Sequence, residues 1–504
     1  MTGPSRYLWR RVLIYSHRWL GIAGCLLFIV WFVSGVVMMY SRMPALGAAE
    51  RLARLAPLDV SRLQITPADA AASVGVTPRT VRLAMFAGRP IYRLATARGQ
   101  SAVFADNGES LELLTEADAI DVAAAFVPAG APRPRVEATL TDPDQWTVGS
   151  VPRAAFPIYR LALGDDDGTT IYVSATSGEP VLKATRWSRR LGYVGAVLHW
   201  LYFTPLRQNG PLWSNVIIWL SIAGCVMCLS GLVWGAWRYA PLDRYRLKRA
   251  ESHTPYAGMM RWHHYAGLLF GVTTFTWIFS GLLSMDPWDW HPGTAPTAEQ
   301  RQALNGGRLD LSDVSASTLA TAAARLAAEI GTREVEIVQV NGQRYLTGRR
   351  PAPPLLSRLR PLSRGHESFD RFPDEEMLSS VRSAMPDTPV EDAIWLDHYD
   401  AYYYDRDGEL SLPVLRVRFT DPVKTWLYVD PRRGTIVRKE ERWSRVNRWL
   451  YHGFHSLDFP FLYYKRPLWD IVVIALSIGG LASTITAISP AWRRLKRIAR
   501  RVYG

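Results

Sequence analysis

Only three cysteines, Cys25, Cys225 and Cys228, occur in 504 residues. A disulfide framework is thereby excluded, and the absence of any Cys-x-x-Cys-His run excludes covalent haem attachment. Cys225 and Cys228 have the spacing of a redox dithiol, but they lie in the middle of an apolar run. Packing of small side chains is the simpler reading for them. No P-loop, no Gly-x-Gly-x-x-Gly after a strand pattern, no zinc-ligand spacing and no Gly-x-Ser-x-Gly elbow is present. The chain therefore lacks the usual means of binding nucleotides, holding zinc or activating a serine. Acidic residues are in deficit, giving a net charge of +14. The excess Lys and Arg flank apolar runs instead of forming a basic groove, which points to a membrane surface and away from nucleic acid.

Four apolar runs are long enough for the roughly 20 residues that cross a hydrocarbon core: Val12 to Tyr40, Trp213 to Trp237, Tyr265 to Met285, and Trp469 to Ile488. Arg6, Arg10 and Arg11 precede the first; Arg238, Arg244, Arg246, Lys248 and Arg249 separate the second and third; Arg493, Arg494, Lys496, Arg497, Arg500 and Arg501 follow the fourth. The positive-inside rule makes both termini and the middle loop cytoplasmic. The segments Ser41 to Gly210 and Asp286 to Pro467 then lie outside, in the periplasm of a Gram-negative cell. Tyr40, Trp213, Trp237, Tyr239, Trp262 and Trp469 at the ends of the runs fit interfacial belts. The basic start and the small residues near Ala45 to Ala49 are also signal-peptide features, but the first apolar run exceeds the roughly 7 to 15 residues of a signal core.

The chain resembles itself. His17-Arg-Trp-Leu-Gly21 with Ser34-Gly35 matches His263-His-Tyr-Ala-Gly267 with Ser280-Gly281, 246 residues on. Trp187-Ser-Arg through His199 to Pro211-Leu-Trp213 matches Trp443-Ser-Arg through His455 to Pro467-Leu-Trp469, 256 residues on. Each half reads as helix, external region, short amphipathic helix, helix. Two crossings per half return the chain to its starting side, so the halves are parallel repeats about an axis along the membrane normal. Residues 1–40 form the cytoplasmic start and first membrane helix, 41–186 the first external region, 187–210 an amphipathic helix and 211–239 the second membrane helix. A basic loop, 240–262, leads into the second half: 263–285 the third membrane helix, 286–442 the second external region, 443–466 an amphipathic helix, 467–490 the fourth membrane helix and 491–504 a basic tail. Each external region holds helices followed by strands, such as those at Pro90-Ile-Tyr-Arg, Ile171-Tyr-Val-Ser and Trp426-Leu-Tyr-Val-Asp.

Four histidines recur in the repeat, and a histidine within or beside a membrane helix is costly enough to be a functional hypothesis. Equivalent residues lie at one depth and can face each other near the axis. His17 with His263, and His199 with His455, would supply the two axial imidazoles of a low-spin haem at each face of the membrane. Gly21 and Gly267, one turn after the first pair, would leave room for a flat macrocycle or serve ordinary close helix packing. His264 and His452 have no counterparts and are alternate ligands. The run Asp397-His-Tyr-Asp-Ala-Tyr-Tyr-Tyr-Asp405 could touch a ligand, although a core role suffices for it. The middle loop is too short for a flavin or nicotinamide domain, so electrons must come from membrane quinol or a separate reductase.

The His-x-x-x-Gly starts of the first and third helices, Leu198-His199 and Phe454-His455 before Pro-Leu-Trp, and the strand ending Tyr428-Val-Asp-Pro-Arg-Arg-Gly434 resemble the PepSY-associated transmembrane family. That family includes iron-regulated inner-membrane ferric-siderophore reductases of the ferrioxamine-reductase kind. The resemblance implies an α-helical membrane protein of the bacterial inner membrane, with four transmembrane helices in two parallel tandem repeats, each carrying an inserted α+β periplasmic PepSY-like region. It also implies about two b-type haems, and reduction of a periplasmic ferric-siderophore or other ferric chelate to release ferrous iron. The alternatives are a membrane-anchored PepSY binding module without a cofactor, and a transporter of iron chelates. A transporter calls for polar or broken helices at the midplane, and here the midplane is apolar.

Overall fold

The computed structural model describes residues 5–97, 99–127, 132–247, 251–350, 357–363, 367–405 and 410–502. Lys248 and Arg249 of the basic loop fall outside them, and for Arg6 and Tyr7 only the backbone is described. The chain divides into a helical unit, Met1–Met43 with Arg190–His291 and Arg445–Gly504, and an α+β unit, Pro44–Arg189 with Pro292–Ser444.

Four long helices, α1 (Ser5–Met38), α2 (Gly210–Arg238), α3 (Met259–Leu283) and α4 (Leu468–Val502), make up most of the helical unit. All four are long and apolar enough to cross a membrane. Asn209 caps α2 through the Leu212 amide, with Pro211 in its first turn. α1 packs against α2 and α4, and α3 packs against α2 and α4, so the helices close a ring in which α1 and α3 stand on one diagonal. Small residues permit the close approach. A Cβ added at Gly480 would meet the Phe32 ring at 2.2 Å, and one at Gly479 would meet Phe270 at 2.3 Å. Phe28, Phe32, Met227, Ile278 and the free thiols Cys225 and Cys228 fill the centre.

Two expectations change in detail. The segment 187–210 is not one amphipathic helix but a series of short pieces: Arg186–Gly192, a π-helical Tyr193–Val197, Leu198–Trp200 and Thr204–Arg207. The segment 443–466 breaks in the same way, with a π-helical Arg448–Gly453 before Phe454–Ser456. Leu201 and Leu457, each at φ +51°, turn the chain back after these short helices. Helical periodicity continues through both segments, so local sequence carried no sign of the breaks. The tail also differs, because α4 continues through Pro490 to Val502 as a basic helix.

The α+β unit contains β1 (Thr80–Phe86), β2 (Arg89–Ala95), β3 (Gln100–Phe104), β4 (Arg135–Leu140), β5 (Ile158–Ala162), β6 (Thr170–Ser174) and β7 (Pro180–Ala184) from the first half. The second half supplies β8 (Glu334–Val340), β9 (Gln343–Arg349), β10 (Ser357–Pro361), β11 (Val390–Leu396), β12 (Val414–Phe419), β13 (Trp426–Asp430) and β14 (Thr435–Glu440). β1 to β3 and β8 to β10 join into one six-stranded antiparallel sheet through β1 and β8. Its core is Leu83, Tyr92, Leu94, Val335, Ile337 and Leu346 beneath the helix Ala316–Ile330. β4 to β7 and β11 to β14 form two four-stranded sheets of matching register. Arg160 lies opposite Tyr172 as Arg416 lies opposite Tyr428, 256 residues on.

At the join of the six-stranded sheet, Arg51 and Arg82 each bond both Glu179 and Glu334 at 2.6 to 3.2 Å. Arg93 lies 3.6 Å from Glu179 and is almost wholly buried. Burial pushes the Glu179 carboxyl up, but Arg93, Arg82 and Arg51 more than offset it and hold the group well below the usual range. Burial likewise raises Glu334, and the Arg51 bond and Arg82 bring it below its ordinary value. Removing one partner from such a cluster strands a buried charge.

The run Asp397 to Asp405 is a structural turn. Asp400 accepts the Tyr402 and Tyr403 amides and bonds Arg416 at 3.0 Å and the Tyr428 hydroxyl at 2.9 Å. Tyr403 and Tyr428 stack at 5.3 Å in a small aromatic core.

Candidate functional site: two histidine pairs in the helical bundle

His17 on α1 and His263 on α3 face each other across the diagonal of the bundle, with ring centroids 5.9 Å apart and planes at 32°. His199 and His455 face each other at 6.0 Å and 74°. The second pair comes from the short helices before α2 and α4, which dock on α1 and α3 respectively. Ser34 on α1 lies 3.0 Å from His199, and the rise from His17 to Ser34 is about 25 Å at about 1.5 Å per residue. The pairs therefore occupy two levels. The first is near the end of the bundle that carries Arg10 and Arg493, and the second is near the other end.

In each of the four histidines, Nδ1 is engaged by a protein oxygen. His17 Nδ1 is 3.0 Å from the Met227 carbonyl, and His263 Nδ1 is 2.8 Å from the Ser483 carbonyl. His199 Nδ1 is 3.0 Å from Ser34 Oγ, and His455 Nδ1 is 3.0 Å from Ser280 Oγ and 3.1 Å from the Trp277 carbonyl. A carbonyl can only accept, so at His17, His263 and His455 it makes Nδ1 the donor and leaves the Nε2 lone pair for another partner. Metal-bound histidines are oriented by this kind of outer hydrogen bond.

Glycines make room for the rings. A Cβ at Gly231 would come within 2.3 Å of His17 Nδ1, and Cβ atoms at Gly35 and Gly281 would touch His199 and His455 at 3.5 Å. Beside the first pair the space is open: a Cβ at Gly267 would meet nothing within 4 Å, and one at Gly21 only Met227 at 4.0 Å. At the second level a π-helical turn before each histidine and the left-handed Leu201 and Leu457 after it recur at matching positions. π-turns and left-handed non-glycine residues are costly and cluster at functional sites. In the second half only, Arg448 and Asp458 form a buried ion pair of 2.7 Å beside this turn; the matching positions hold Gly192 and Tyr202.

The alternate histidines have other surroundings. His264 is taken at both ring nitrogens, by Thr254 Oγ1 at 2.6 Å and the Gly235 carbonyl at 2.8 Å. His452 lies within a π-helical turn, its ring 4.4 Å from that of Tyr451. Ser34, Ser280 and Gly231 belong to the site but were not singled out from sequence. The repeated Ser-Gly pairs at Ser34-Gly35 and Ser280-Gly281 were the sequence signal for the two serines, and Gly231 had none.

Among the described residues no group of three or more His, Cys, Asp or Glu side chains is gathered so as to hold a bare metal ion. Each pair offers two imidazoles alone, a donor set suited to a metal that brings its own equatorial ligands, as a porphyrin does. Two imidazoles bound through Nε2 at about 2 Å to one metal place their centroids about 6 Å apart. At both levels the ring spacing and the engaged Nδ1 atoms are compatible with a haem, and at the first level the open face at Gly267 adds room for one. No protein-family model matches the sequence, and no curated protein matches it.

Proposed function

We propose that this chain is a tandemly duplicated inner-membrane oxidoreductase that holds two b-type haems and delivers electrons to a ferric chelate on the side opposite its termini. The observation that carries this reading is the pair of opposed histidines at each of two levels, each with an oxygen on Nδ1. His17 and His263 would hold one haem, and His199 and His455 the other. A haem held there would supply reversible one-electron chemistry. The Met227, Ser483 and Trp277 carbonyls hold His17, His263 and His455 in the tautomer that presents Nε2, and Ser34 and Ser280 help orient His199 and His455. The apolar fill of Phe28, Phe32 and Ile278 keeps water from the interior between the levels. The basic residues at the chain ends favour the cytoplasmic side for both termini. A quinol or a separate reductase would donate on that side, near His17.

The test is the absorption spectrum of detergent-purified protein from haem-sufficient cells. About two noncovalent low-spin haems per chain are expected, reducible by dithionite and reoxidised by a ferric chelate. A colourless preparation overturns the reading and favours a binding module.

A further inference from the structure

The two four-stranded sheets share a scaffold that is filled in one and open in the other. In the second sheet, Asp400 holds Arg416 and the Tyr428 hydroxyl, and in the first, Asp144 holds Arg160 at 3.4 Å and the Tyr172 hydroxyl at 2.9 Å, each 256 residues earlier. Over the second scaffold lies the Trp426 indole. The guanidinium carbons of Arg416 and Arg418 stand 5.3 and 5.4 Å from its ring centre, and Tyr402 packs on it edge-on at 5.3 Å.

In the first sheet the residue matching Trp426 is Thr170, and the residue matching Arg418 is Ala162. Gly164 and Gly168 replace Thr420 and Lys424. What remains is a cavity of about 360 Å³, walled by Arg160, Tyr172 and Trp146. Arg135 and Arg186 are at its margin, and Arg135 stands where the second sheet has Glu391. Four arginines line the cavity against two carboxylates, Glu137 and Asp165. The pairing is long, because Arg160 meets Glu137 and Asp144 only at 3.4 Å each and Arg135 meets Glu137 only at 3.7 Å. The volume is within the range of small-ligand pockets, about 300 to 1,000 Å³.

We propose that this cavity binds a planar aromatic anion, its ring taking the place that the Trp426 indole holds in the matching sheet and its acidic group facing Arg160 and Arg135. Arginine recognises such a ligand twice, by stacking on its face and by charge-assisted hydrogen bonds to its oxygens. The proposal does not depend on haem, and it stands or falls separately from the reading above.

The test is titration calorimetry of the full-length protein in detergent with salicylate as the probe. One saturable site per chain is expected, and cyclohexanecarboxylate, equally charged but not planar, and benzyl alcohol, aromatic but neutral, should each bind at least about tenfold more weakly. Thr170→Trp, which restores the plug of the second sheet, should abolish binding, and Arg160→Gln should weaken it about tenfold. Absence of saturable binding, or equal binding by cyclohexanecarboxylate or benzyl alcohol, overturns the proposal. So does undiminished binding in Arg160→Gln, which decides the matter if Thr170→Trp does not fold.

Discussion

Replacing Gly231 by Ala perturbs one histidine level and leaves the other alone. The added methyl would lie 2.3 Å from Nδ1 and 2.4 Å from Cε1 of His17, against an ordinary carbon contact of about 3.5 to 4.0 Å. The imidazole must withdraw by more than about 1 Å, which breaks its 3.0 Å bond to the Met227 carbonyl. Loss of an outer hydrogen bond on a ligating histidine lowers metal affinity about 10- to 100-fold, or roughly 1.4 to 2.8 kcal/mol. Overpacking adds a folding cost of about 1 to 3 kcal/mol. The companion change Gly267→Ala separates cofactor from packing, because no protein atom lies within 4 Å of the new methyl. On packing grounds alone it should stabilise α3 by about 0.5 to 1 kcal/mol, yet a macrocycle beside His263 would meet the methyl. The measurements are haem content, low-spin absorption and thermal unfolding of each variant. Both variants should lose signal from the His17 and His263 level and retain the rest, with stability lowered only in Gly231→Ala. Full low-spin absorption in both would refute the reasoning.

His17→Ala and His263→Ala should each remove the same haem, and His199→Ala and His455→Ala the other. If His17→Ala and His199→Ala removed one and the same haem, the opposed pairs would not be the ligand sets. Reporters active only outside the cytoplasm should work when fused near Gly130 or Gly408, both outside the described residues, and stay silent at Arg501; the reverse pattern inverts the orientation. Glu179 and Glu334 have depressed carboxyl values in the folded chain. Their stabilisation is therefore complete above the unfolded value of about 4.3 and is lost as pH falls below it toward the folded values. Unfolding of the α+β unit, followed by circular dichroism, should become easier below about pH 4, and Glu179→Gln should cost about 3 to 5 kcal/mol at neutral pH. An acid-insensitive melting curve, or a neutral Glu179→Gln, would show that the arginine cluster does not hold the sheet.

Hydropathy and spacing in the chain alone were enough to locate four long apolar helices, because burial in lipid demands a run of apolar residues whatever the neighbours do. The same offsets placed four histidines at matching positions and made pairing between the halves the expectation. Tertiary structure decided what local signals do not carry. Packing puts α1 and α3 on the diagonal, so that His17 meets His263, and α2 and α4 bring the Met227 and Ser483 carbonyls to the rings. His264 is one residue from His263 and chemically identical, yet about 100° of helical rotation turns it to Thr254 and Gly235. The π-helical turns and the left-handed Leu201 and Leu457 left no trace in composition, since their cost is borne by contacts with helices far away in sequence. In the α+β unit the strands were legible one by one. The union of β1 with β8, more than two hundred residues apart, was not, because strand pairing is chosen by the partner's exposed edge and by charges such as Arg82 opposite Glu336.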